Sequence, residues 1–169
     1  MTLRRQIIAS PETLYDFTAA ADTRCRDSQR LLVAGHFSGA VYLAGFACEM
    51  WLKLAAIRCH DRRAGPTSPV ASYLSPTRLW MAAHFPGVPH EAYHSLMFWS
   101  EYIIRFRSSS GDPLPALVAG ELRHHATRRL FNDWKIDLRY RAIPVSDRHA
   151  WRVHGDMMWL RQHWMRLWR

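Results

Sequence analysis

The sequence predicts one all-α domain, and three observations carry that prediction. Apolar residues recur at three- and four-residue steps in two stretches, Leu14 to Leu32 and Ala150 to Leu167. Between them, Gly39 to Cys59 is apolar on nearly every side, as a central buried helix must be. No stretch alternates convincingly as a half-buried strand does. With 169 residues, 49% apolar and 12% aromatic, the chain has the size and composition for one core. No internal repeat or second domain is visible, so residues 1–169 read as a single domain.

The elements follow in order. Ser10-Pro11-Glu12 predicts a helix start: a capping hydroxyl, proline at the first helical position, then an acid. Leu14, Phe17, Ala21, Cys25, Ser28 and Leu32 then lie on one face, which ends at Gly35. Ser38 is the predicted cap of the second helix. Its small residues Ala40, Ala44, Gly45, Ala47 and Cys48 allow close helix approach. Asp61 to Pro76, rich in proline and serine, reads as a loop, followed by a short helix from Thr77 to His84. A further helix is predicted from His90 to Arg107, a loop from Ser108 to Pro115, and a helix from Ala116 to about Trp134. After a short extended piece around Ala142 to Pro144, Ser146-Asp147 caps the last helix. Its inner stripe is Ala150, Val153, Met157, Leu160, Trp164 and Leu167.

The formal net charge is +9, and only Lys53 and Lys135 are lysines among 23 basic residues. Arginine forks match phosphate oxygens and stack on bases, so the balance favours an anionic partner such as RNA, DNA or nucleotide. An arginine bias set by a GC-rich genome is the competing reading. Three cysteines without CxxC spacing, Cys25, Cys48 and Cys59, read as reduced thiols in a cytoplasmic protein rather than a disulfide framework. The N-terminus lacks the apolar run of a signal peptide. No window reaches eighteen uninterrupted apolar residues, so no membrane span is expected.

Glu49 and Lys53 stand one turn apart in an otherwise apolar helix. Burial of either charge alone costs several kcal/mol, so they are expected to pair with each other or with another charge such as Arg139. Two roles remain open: an ion pair that fixes bundle register, or a carboxylate that orients a catalytic or ligand-binding arginine. The segment ELRHHATRR, with Arg123, His124, Arg128 and Arg129, is a candidate nucleic-acid contact through charge, against an ordinary solvated helix face. Trp151, Trp159 and Trp168 lie partly off the core stripe and suit either a partner surface or core packing.

The run from His36 to Lys53, containing GAVYLAGFACEMWLK, resembles the signature second helix of HEPN domains. Trp134, then Leu138-Arg139-Tyr140, then a long C-terminal helix, is similar to the ending of the same family. The resemblance implies an antiparallel, up-and-down helical bundle, often a symmetric homodimer, with Tyr140 beside the Glu49/Lys53 pair in a structural or orienting role. It implies an RNA- or nucleotide-interacting protein, with a metal-independent ribonuclease of a bacterial toxin–antitoxin or anti-phage system as the leading reading. A cognate antitoxin or other protein partner goes with that reading; no cofactor and no metal does. The alternative is a non-catalytic binding or assembly module.

Active members of the family carry an arginine, four to six residues, then a histidine near the start of the last helix. A histidine can shuttle the 2′-hydroxyl proton while an arginine stabilises the charged phosphorane. Arg148 and His154 fit that spacing, and Arg139 is the arginine placed by the family's RY motif. The same spacing joins Arg30 to His36 and Arg78 to His84. A zinc hydrolase is the third reading: His90-Glu91-Ala92-Tyr93-His94 matches H-E-x-x-H, in which two histidines one helical turn apart bind zinc. Pro89 places that match at a helix start, and no third ligand follows at the usual spacing.

Overall fold

The protein is described by a computed structural model covering residues 12–86, 94–130, 134 and 144–169. The predicted cap Ser10-Pro11, the motif residues His90 and Glu91, and the candidates Arg139 and Tyr140 lie outside the described residues. Among the described residues the fold is all-helical, a bundle around one core.

Helix α1, Leu14–Val33, opens with Thr13 as its cap. The Thr13 hydroxyl accepts from the Asp16 amide while the Asp16 carboxylate accepts from the Thr13 amide, a reciprocal capping box. The cap is therefore Thr13, three residues beyond the predicted Ser10. The six residues of the predicted apolar face are the six that α1 buries. Gly35 follows with φ of 79°, the left-handed turn that the glycine permits.

Helix α2, Phe37–His60, is the axis of the bundle. It packs against α1, against the later helices Leu96–Ser109 and Asp147–His163, and more lightly against Ala71–His84. His36, not Ser38, occupies its cap position. By length and composition α2 could cross a membrane, with a window of mean hydropathy 1.5, but 78% of that window is buried by the other helices.

Helix α3, Ala71–His84, begins six residues earlier than predicted and contains Pro76. A proline there removes one helical hydrogen bond. The bond lost is the one to the Ser72 carbonyl, and the Thr77 hydroxyl shares its proton between the Tyr73 and Leu74 carbonyls in the same turn. Helix α4, Leu96–Ser109, is capped by the Ser95 hydroxyl. Helix α5, Ala116–Leu122, continues without interruption into a π-helical segment, Arg123–Leu130. Helix α6, Asp147–His163, is capped by Ser146 as predicted and ends in a tight turn, Trp164–Leu167.

Helices α1 and α2 form the expected antiparallel hairpin, with the Ser28 hydroxyl donating to the Ala40 carbonyl across it. Along α2 and α4 the contacts rise together: Glu49 meets His94, Lys53 meets Trp99, and His60 meets Tyr102 and Phe106. The two helices thus run the same way, as the second and fourth helices do when successive helices alternate in direction. Near the far end, Arg107 fastens the bundle: its guanidinium donates to the Asp112 and Leu167 carbonyls and pairs with the Asp112 carboxylate at 2.9 Å.

Trp134 closes the opposite end of α2. Its indole N–H donates to the Tyr42 carbonyl at 3.2 Å, and its ring lies over Gly45 so closely that any Cβ there would run into it. The family-like small residue Gly45 is thus explained by one contact with a tryptophan 89 positions along the chain.

Candidate functional site

Two histidine–carboxylate pairs stand out, both built across helices. The first has Glu49 at its centre. Its carboxylate, 3% exposed, accepts from the Lys53 ammonium at 2.5 Å and from His94 Nδ1 at 2.9 Å. Lys53 also lies 5.7 Å from the centre of the Trp99 ring, a cation–π contact that helps hold the ammonium away from water. Glu49 and Lys53 pair as expected, and His94 joins them; the other expected partner, Arg139, lies outside the described residues.

His94 stands ahead of the Ser95 cap, outside α4. Its Nδ1 is engaged by Glu49. His90 and Glu91, the other members of the zinc match, lie outside the described residues. Among the described residues no group of three or more histidine, cysteine, aspartate or glutamate side chains is placed to hold a metal ion.

The second pair joins the π-helical segment to α6. Asp156, 1% exposed, has Oδ1 at 2.7 Å from His125 Nδ1, while Arg129 Nε lies 3.3 Å from Oδ2. A carboxylate only accepts, so Nδ1 carries the proton and the neutral ring keeps its lone pair on Nε2. His125 stacks on Trp159 at 4.6 Å between ring centres, and Trp159 stacks in turn on His163 at 4.8 Å. The ring is thereby fixed in both tilt and tautomer.

Two residues of one segment reach the same acid because positions four apart share a helix face. The segment is wound with i→i+5 hydrogen bonds. Such windings are usually single turns and are frequent at functional sites. Here the winding runs for eight residues and presents His125 and Arg129 together to α6.

The predicted basic contact segment therefore divides. Arg129 faces Asp156, and Arg123 pairs with Glu101 at 3.2 Å. His124 and Arg128 lie at the exposed surface of the segment. The predicted Arg148/His154 pair does not converge. A six-residue step on α6 leaves the two side chains about 120° apart around the axis. Arg148 is exposed on the first turn, whereas His154 is half-buried and meets Trp151 edge-on at 5.9 Å. Among the described residues His154 Nδ1 is enclosed without a hydrogen-bond partner, and burial pushes the ring's pKa down.

All three cysteines are free. Burial raises each thiol pKa, that of Cys59 to about 12, so none has the thiolate character of a nucleophile.

No family model, curated protein or solved structure matches this chain. The site must therefore speak through its own geometry. Sequence reasoning passed over Asp156, took His94 only as half of a zinc match, and took the segment holding His125 only as a charged face. One signal for Asp156 was present: it is the lone acid of α6 beyond its first residue, and it sits beside the apolar stripe. The pairing of His94 with Glu49 gave no such signal, because the two lie 45 positions apart on different parts of the fold.

Proposed function

We propose that this protein binds RNA and cleaves it without a metal ion, with His125 as proton carrier. The observation that carries the reading is the His125–Asp156–Arg129 constellation on a basic, π-helical segment. With Nδ1 donated to Asp156, Nε2 accepts the proton of a ribose 2′-hydroxyl. The 2′-oxygen attacks the adjacent phosphorus and the bond from phosphorus to the 5′-oxygen breaks. The departing 5′-oxygen takes up a proton from the imidazolium or from water, leaving a 2′,3′-cyclic phosphate. Asp156 stabilises the imidazolium that forms, and the Arg129 guanidinium stands beside it to offset charge on the phosphorane. The likeness of α2 to the HEPN signature adds the biological setting: a homodimeric toxin or anti-phage component, acting with a protein partner.

The test is cleavage of labelled single-stranded RNA in EDTA. Wild type is expected to produce 2′,3′-cyclic ends and to leave the 2′-deoxy analogue intact. His125→Ala is expected to lower the rate about 100-fold or more, the usual share of a general acid–base group. Asp156→Asn, which upsets the tautomer, follows it down, and His154→Ala retains activity. A His125→Ala variant that cuts at the wild-type rate sinks the mechanism. A non-catalytic RNA-binding module is the second reading, favoured by the divergence of Arg148 and His154; wild-type binding without cleavage decides for it.

A further inference from the structure

The outer face of α6 carries a second feature that the proton-transfer site does not use. Trp151 is 52% exposed, a large apolar ring on a helix otherwise dressed with charge. Arg148 and Arg152, one before and one after in the same two turns, are exposed as well. With about 100° between successive residues, Trp151, Gly155, Arg148 and Arg152 share an arc of about 100°, on the side that leads round to Asp156.

Gly155 is the unexpected member. Glycine inside a helix is destabilising relative to alanine, so it calls for a reason. Among the described residues packing supplies none, since a Cβ at Gly155 would meet nothing within 4 Å. Nor does backbone conformation, since Gly155 is not among the positive-φ glycines. What the missing side chain does provide is space. Residues four apart are neighbours on a helix surface, so Gly155 leaves open the patch beside the indole of Trp151. A larger residue there would lean over the ring.

An exposed aromatic with open ground beside it, between two arginines, has the chemistry of a stacking platform for an unpaired base. The ring takes the base face, and the arginines take the flanking phosphates. The charge of the chain argues for this occupant over a second copy of the protein, because two faces each bearing Arg148 and Arg152 repel when brought together. We propose that Trp151, with the gap at Gly155, stacks one base of single-stranded RNA and so delivers the strand to the site at Asp156. This rests on the RNA reading above and specifies how the substrate is held.

The experiment measures binding of a fluorescein-labelled oligouridine by anisotropy, with cleavage blocked by a 2′-O-methyl backbone. Trp151→Ala is expected to weaken binding about 5- to 150-fold, the range for loss of one stacked base, whereas Trp151→Phe keeps most of the affinity. Gly155→Leu weakens binding too, while its melting temperature does not fall. Duplex RNA of the same length, whose bases are already paired and stacked, is insensitive to both changes. Wild-type affinity in Trp151→Ala and Gly155→Leu overturns the platform but leaves RNA cleavage at His125 standing. A Trp151→Ala change that alters the mass in sedimentation rather than the affinity assigns the ring to a protein contact and also overturns it. Absence of any RNA binding by wild type removes both readings together.

Discussion

His154 shows how much a single side chain's surroundings decide. Ten histidines are equivalent in the sequence, yet three of them face very different chemistry. Nδ1 of both His94 and His125 meets a carboxylate, whereas His154 turns a buried nitrogen toward no partner among the described residues. Desolvation disfavours the charged ring, so the folded pKa of His154 lies below the ordinary value of 6.5. The unfolded chain then binds the proton more readily than the folded one. Its contribution to stability is complete above pH 6.5, falls as the pH drops from there through the folded pKa, and levels off below it. His154→Phe, which fills the same space without titrating, should flatten this part of the profile. Denaturant midpoints taken from pH 7.5 down to 5 check it; parallel wild-type and variant profiles would show that His154 titrates normally.

Between elements, the Glu49 cluster ties α2 to the approach to α4, and its three members respond differently to removal. Glu49→Leu strands the Lys53 ammonium in the core, and loss of one partner from a buried pair costs about 3–5 kcal/mol. Lys53→Met leaves Glu49 its hydrogen bonds from His94 Nδ1, so the carboxylate keeps a partner and the change should cost less. The double variant should recover part of the Glu49→Leu loss, since no lone charge remains. Urea unfolding of the three variants measures this; a Lys53→Met loss equal to that of Glu49→Leu would show that His94 takes no share. The sequence made the pair visible because both residues lie one turn apart in an apolar helix. It hid His94, because pairing across 45 positions depends on α4 running parallel to α2, which local periodicity does not encode. The same limit applies elsewhere. The buried faces of α1 and α6 were legible residue by residue, since the three-four spacing is itself the cause of burial. Pro76 argued locally for a loop, but the helix runs through it and buries Thr77 and Met81 against the core. The π winding of residues 123–130 had no local signature, and the meeting of His125 and Arg129 with Asp156 joins two helices across about 30 positions, which local periodicity does not encode either.

For the whole molecule, a charge of +9 sets long-range attraction to RNA, while base stacking is short-ranged, and salt separates the two. Each phosphate neutralised by a cationic side chain releases counterions, so the logarithm of the binding constant falls with the logarithm of salt concentration by about 0.7 per contact on single strands. Arg128 lies at the exposed surface of the π-helical segment, where a strand led to Asp156 would pass. Arg128→Gln should therefore reduce the magnitude of that slope by about 0.7, with the largest loss of affinity at low salt. Trp151→Ala removes no charge, so it should lower affinity by a similar factor at every salt concentration and leave the slope unchanged. Anisotropy titrations across a salt series distinguish the two. An unchanged slope in Arg128→Gln would mean that the strand avoids the π-helical face, and His125 would then lie off the path of the phosphate it is proposed to serve.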